Sequence, residues 1–233
     1  MVVEKNNKLS MGSLYIVATP IGNLSDITFR AIEILKSVDF IACEDTRVTR
    51  RLIDHYDIDT KLISYHQHSK LIKIDYIIDL LKSGKSIALV SDAGTPAISD
   101  PGGKLVEQVY QTGILIIPIP GPSAITMLLS ASGLPSDRFE FLGFLPHKKG
   151  REKLFNKITE SKGTIVFYES VHRIMKTLKS LSEVLGEDRM IVVGRELTKY
   201  YEEIKRGTAQ EVLEYYENNP KNVKGEFVVA VGA

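Results

Sequence analysis

The segment Ser86-Ile-Ala-Leu-Val90 runs directly into Ser91-Asp-Ala-Gly-Thr-Pro-Ala-Ile-Ser-Asp-Pro-Gly-Gly103. The first part, apolar after Ser86, reads as a strand covered on both faces, the mark of a parallel sheet in an α/β protein. The second part packs two aspartates, three glycines and two prolines into thirteen residues. Strand-to-helix connections ordinarily take about two to six residues, so a plain turn does not account for the length. Proline stiffness and glycine access suit a loop that wraps a ligand with backbone amides and carbonyls. Asp92 is placed to accept from an ammonium or hydroxyl group, and the alternative is a tight structural turn.

On either side of this segment, short β-branched runs alternate with amphipathic stretches, as in βα units on a mostly parallel sheet. Strands are predicted over 14–18, 40–43, 61–64, 86–90 and 114–117, with helices over 27–36, 46–56, 70–83 and 104–112. Leu71, Ile74, Ile77, Ile78 and Leu81 recur at three- and four-residue steps and form one buried stripe. A small-residue helix from Ser123 ends at the turn Ser132-Gly-Leu-Pro-Ser136, where a second series begins. Strands are predicted there over 138–143, 164–168, 190–194, 201–207 and 226–231, with helices over 149–160, 171–185 and 209–216. Their connections imply a mixed sheet. The expected organisation is a flexible lead over 1–12, an α/β domain over 13–133 and a second over 134–233.

Composition narrows the function. The chain has 233 residues, 43% of them apolar, enough for one large core or two compact ones. Its single cysteine, Cys43, sits in the apolar run Phe40-Ile-Ala-Cys43, so it pairs with no other in the chain and reads as a structural thiol. No apolar run approaches the roughly 20 residues of a membrane span, and residues 1–11 lack the apolar centre of a signal peptide. A reducing cytoplasm is expected. A net charge of +1 leaves any nucleic-acid binding to local basic surface.

Ligands of open α/β sheets sit beyond the carboxyl ends of the strands, where three further loops stand out. Thr19-Pro-Ile-Gly-Asn-Leu-Ser-Asp26 precedes a helix that Asp26 or Ser25 would cap, and it lacks the G-x-G-x-x-G of a dinucleotide site. Pro118-Ile-Pro-Gly-Pro-Ser-Ala124 ends where Ser123 is placed to cap the next helix. Phe139-Glu-Phe-Leu-Gly-Phe-Leu-Pro146 opens the second half, and its aromatics read first as core.

At these loops the sequence resembles the tetrapyrrole methylase family, in particular the branch that methylates ribosomal RNA. The resemblance rests on Tyr15-Ile-Val-Ala-Thr-Pro-Ile-Gly-Asn-Leu24, Cys43-Glu-Asp-Thr-Arg47, residues 91–102 and Pro120-Gly-Pro-Ser-Ala124. It continues through Gly143-Phe-Leu-Pro146, Tyr168-Glu-Ser-Val-His-Arg173, Gly194-Arg-Glu-Leu-Thr-Lys199 and Gly225-Glu226. It implies two α/β domains with S-adenosylmethionine in the cleft between them, a homodimer, and transfer of methyl to the ribose 2′-hydroxyl of a cytidine in the decoding region of small-subunit ribosomal RNA. The cofactor contacts so implied are Pro20, Asp92, Ala93, Gly94, Ile98, Ser123, Ala124, Phe144, Tyr168 and Leu197. Many relatives carry a further small domain after the Gly-Glu strand, so a weaker grip on RNA, or one supplied by a partner, is expected of a sequence ending at Ala233.

Such a transfer needs aligned reactants and gains from a base that takes the hydroxyl proton. Candidates are Asp45 and His66, with Arg47 on a phosphate. The competing reading makes Asp45 a helix cap and His66 a surface imidazole. His66 and His68 have no third ligand near them in sequence, so no metal is expected. His172, Arg173, Arg195 and Lys199 are candidate RNA contacts, against an ion-pair network involving Arg195, Glu196 and Glu202. Arg47, Arg50 and Arg51 form one basic strip, and His147, Lys148, Lys149, Arg151 and Lys153 another. Two rival functions are a carbon methyltransferase of tetrapyrroles and an RNA-binding ribosome-assembly factor without catalysis. The ribosomal small subunit or its RNA is the expected partner, with no membrane involved.

Overall fold

The computed structural model describes residues 11–65, 71–147 and 149–233. The chain divides into two compact units, Met1–Pro122 and Ser123–Ala233, each built on one five-stranded sheet.

The first unit contains strands β1 (Ser13–Val17), β2 (Phe40–Cys43), β3 (Lys61–Ser64), β4 (Ile87–Leu89) and β5 (Leu115–Ile119). Its helices are α1 (Phe29–Ser37), α2 (Thr46–His55), α3 (Leu71–Lys82) and α4 (Gly103–Gln111). The strands lie in the order β3-β2-β4-β1-β5, all parallel. Because side chains alternate along a strand, β4 and its flanks feed two separate cores. Ile87 and Leu89 pack with Ile77 and Leu81 of α3 and Leu105 and Val109 of α4. Ala88 and Val90 pack with Ala31 and Leu35 of α1 and Leu52 and Ile53 of α2. Neighbouring strands β1 and β4 therefore send their chains to opposite faces, which opens the crevice at their carboxyl ends where ligands of such sheets lie.

Two local readings change. Asp26 and Ser25 do not cap α1; Asn23 accepts from the Ser25 amide and closes a 3-10 turn over Leu24–Asp26, and Thr28 then caps α1 through the Ala31 amide at 3.1 Å. The last strand also runs on through Pro118 to Ile119. As an edge strand, β5 has a side that needs no ladder donor, so the proline fits.

The second unit contains α5 (Ala124–Ser132), β6 (Phe139–Phe144), α6 (Arg151–Glu160), β7 (Thr164–Ser170), α7 (Ile174–Val184), β8 (Met190–Arg195), β9 (Glu203–Thr208), α8 (Ala209–Asn218) and β10 (Glu226–Val231). Its order is β6-β7-β10-β8-β9, with only β6 and β7 parallel. The mixed sheet is as the sequence predicts. One face carries Ile165, Phe167, Val193, Val229 and Val231 beneath α6, α7 and α8. Helix α5 covers the other, where a Cβ added to Gly194 would come within 2.9 Å of Leu128 Cδ1. Packing on this sheet is why α5 goes with the second unit, so the division falls ahead of the expected break at 133 rather than at it. A capping box between Thr208 and Glu211 starts α8.

Candidate functional site

The loops leaving β1 and β4 are stitched together. Thr19 and Gly94 exchange backbone hydrogen bonds of 2.9 and 3.0 Å. The buried Thr19 hydroxyl donates to the Ser91 carbonyl at 3.0 Å, and the Ser91 hydroxyl donates to the Ala93 carbonyl at 3.1 Å. Gly94 holds φ of +75°, a conformation only glycine adopts without strain. The segment after β5 crosses the end of β1 so closely that a Cβ at Gly121 would stand 2.8 Å from the Ala18 Cβ. Ala97 and Ser99 also occupy the left-handed region, at φ of 69° and 60°, on either side of the half-exposed Ile98. Such strain costs on the order of 1–3 kcal/mol per residue and gathers where a ligand is held.

Three carboxylates, Glu44, Asp92 and Asp100, come near one another beyond the ends of β2 and β4, with Asp45 beside them. Asp92 Oδ1 accepts from the Asp45 amide at 3.0 Å, fixing the turn after β2. The Asp45 carboxylate accepts from the Arg47 amide at 2.8 Å and caps α2, while the Arg47 guanidinium approaches it to 2.6 Å. These bonds hold Asp45 down at about 2, an ionised cap and a weak base. Asp100, which the sequence reading passed over, is different. Burial, then the nearby Glu44 and Asp92 carboxylates, push it up to about 6, against a hydrogen bond with Ser91. The available signal was three acids at the ends of two strands that a parallel sheet would make neighbours. His66 lies outside the described residues. Cys43 is fully buried, and burial raises its thiol, in keeping with the structural reading. Arg47, Arg50 and Arg51 share the exposed face of α2, whose other face buries Thr49, Leu52 and Ile53.

In the second unit the paired positions Phe144 and Tyr168 bring their rings to 5.4 Å, and Phe141 meets Tyr168 at 5.0 Å. Phe144 and Phe139 are exposed, so these aromatics are not all core. Ser123 holds the cap position of α5 without a side-chain capping bond, so the expected cap is not made. Leu197 is buried beside Gly194.

Several expected RNA contacts are engaged within the fold. The Glu169 side chain, wholly buried, pairs with Arg173 at 2.8 Å and Arg151 at 3.9 Å and accepts from the Thr177 hydroxyl at 2.7 Å. That carboxylate draws Arg151 out of the second basic strip. Arg195 is buried opposite Glu203 at 3.7 Å. Lys199 bridges Glu196 and Glu226 at 2.8 and 3.0 Å. His172 is exposed.

A parallel and a mixed five-stranded α/β unit, with glycine- and proline-rich loops bound across the ends of β1 and β4, define a two-sheet α/β protein built to hold a polar ligand. The chain belongs to the Tetrapyrrole (Corrin/Porphyrin) Methylases, whose family pattern matches residues 13–213. It is 51% identical to the ribosomal RNA small subunit methyltransferase I of Halalkalibacterium halodurans, over 94% of this chain and 75% of that one. With the protein of the same name from Bacillus subtilis it shares 50% over 97% of this chain and 77% of the relative. The crystal structure of a cobalt precorrin-4 methyltransferase has the same fold, with a TM-score of 0.69 at 20% identity over 99% of this chain and 98% of that one.

Proposed function

We propose that the protein transfers a methyl group from S-adenosylmethionine to the ribose 2′-hydroxyl of a cytidine in the decoding region of small-subunit ribosomal RNA. The observation that carries this reading is identity of about one half, over nearly the whole chain, with relatives named for methylating that RNA. S-adenosylmethionine supplies the methyl group as an activated sulfonium. The residues present fit a cationic, amide-seeking ligand: Asp92 and Glu44 supply negative charge, and Gly94 and Gly121 admit close backbone approach. Pro20, Asp92, Ala93, Gly94 and Ile98 would hold it, and the family resemblance adds Ser123, Ala124, Phe144, Tyr168 and Leu197 as contacts.

Most of the acceleration in such a displacement comes from holding the acceptor oxygen in line with the methyl group. A base for the 2′-proton adds about 10² to 10⁴. Asp100 suits that task better than Asp45, since a carboxyl held at about 6 is ionised at neutral pH yet still takes up a proton readily. Arg50, Arg51 and His172 offer contacts to phosphate, as does Arg47, which stays exposed although it pairs with Asp45, whereas Arg173, Arg195 and Lys199 are held in more buried ion pairs. A homodimer working in the cytoplasm completes the proposal. The test is transfer of labelled methyl to small subunits that lack the modification. Label on a tetrapyrrole and never on RNA would overturn the acceptor, and cofactor binding without transfer to either would favour an assembly factor.

A further inference from the structure

The connector between β8 and β9 spans residues 196–202, longer than the two to five of a usual hairpin loop. It is held on every side. Glu196 exchanges bonds with Glu226 through its amide and its carboxylate, both 2.9 Å, and Lys199 adds its ion pairs to the same two acids. The Thr198 amide donates to Glu202 Oε2 at 2.6 Å, and Leu197 anchors the loop from below. Glu196 and Thr198 take φ of 50° and 67°, so the fold accepts backbone strain here. At the tip of this braced loop stand Tyr200, 93% exposed, and Tyr201, 67% exposed, with rings 4.9 Å apart and nearly perpendicular. Their edge-to-face packing leaves the outer ring faces open to solvent.

We propose that Tyr200 and Tyr201 form a stacking platform for an unpaired base of the RNA substrate, a contact that rests on the RNA reading above. Aromatic rings take base faces without regard to sequence, so a rigid platform fixes the strand while other groups choose the nucleotide. Area argues against a second copy of the chain as the occupant. Two rings cover roughly 300–500 Å², against about 800 Å² a side in a stable protein interface, whereas one ring matches one base. Lys199 offsets one of the two charges of Glu196 and Glu226, Arg195 faces Glu203, Glu202 stays exposed beside Tyr201 and Arg206 is exposed on β9, so the surroundings carry both signs and the contact rests on the ring faces rather than on charge.

The experiment compares wild type, Y200A/Y201A and Y200F/Y201F in methyl transfer to unmodified small subunits, with S-adenosylmethionine affinity and oligomeric state measured alongside. The alanine pair should raise KM for the subunit about 5- to 100-fold, with cofactor affinity and oligomeric state unchanged and the salt dependence of KM kept. The phenylalanine pair should stay within about twofold of wild type. An unchanged KM in the alanine pair, equal loss in the phenylalanine pair, or a change of oligomeric state would overturn the platform. A wild-type protein that methylates no RNA overturns the underlying function instead, so the two failures are distinct.

Discussion

Replacing Glu169 by alanine should destabilise the second unit more than any comparable change on its surface. The Glu169 carboxylate has no exposed area, and its two oxygens satisfy the Arg173 guanidinium, the Ser170 amide, the Thr177 hydroxyl and, more distantly, Arg151. The side chains of Arg151 and Arg173 are themselves only 13% and 15% exposed. Removing the anion leaves two cations in a poorly solvated site, where breaking a buried pair from one side costs about 3–5 kcal/mol. At about 2–4 °C per kcal/mol for a chain of this size, the melting temperature should fall by roughly 6–20 °C. Calorimetry on wild type, Glu169→Ala, Arg173→Ala and the double variant gives a cycle in which the double loss falls short of the sum of the single losses. The same cycle decides what Arg173 does. If Arg173→Ala left stability intact while raising KM for RNA, the ion network would not be its role and the contact implied by family resemblance would stand.

Asp45→Asn keeps a helix cap but removes the carboxylate, so methyl transfer should stay within a few-fold of wild type; a loss beyond about 10²-fold would restore Asp45 as the base. Asp100 should set an acid limb in the rate, with kcat/KM rising through about pH 6 as the carboxyl ionises and flattening above it, and Asp100→Asn should remove that limb while cofactor binding persists. Its raised value also means the folded chain holds more protons than the unfolded one between about pH 4 and 6, so this group's effect on stability becomes less favourable as pH rises through that window, which denaturation of Asp100→Asn at two pH values would check. Gly121→Ala places a Cβ 2.8 Å from the Ala18 Cβ and should weaken S-adenosylmethionine binding in calorimetric titration, whereas Gly186→Ala, where a Cβ meets nothing within 4 Å and φ is not positive, should leave that binding unchanged.

Strand alternation and helical periodicity were enough to read both sheets, because each strand of the first unit feeds two cores and must be apolar on both faces. Edges and caps were less legible. Pro118 reads as a strand terminator unless β5 is known to be an edge, and Thr28 competes with Ser25 and Asp26 for the same capping role until the 3-10 turn absorbs them. At the site, glycine and proline content marked the right loops, since the backbone itself does the holding there. Charged side chains were harder. Whether Arg173 faces a phosphate or Glu169 depends on where α7 starts, and the turn at 171–173 shortens that helix at its front. Asp100 gains its raised value first from burial and then from Glu44, more than fifty residues away in sequence, and Asp92, none of which a local reading of its loop brings together.

The central claim, methyl transfer to one ribose of small-subunit RNA, is tested most directly by mass analysis of that RNA after incubation of unmodified subunits with the protein and labelled S-adenosylmethionine. The account predicts a single added methyl on the 2′-oxygen of one decoding-region cytidine. A methyl on a base carbon or nitrogen, or no methyl on RNA while a tetrapyrrole becomes labelled, would contradict it.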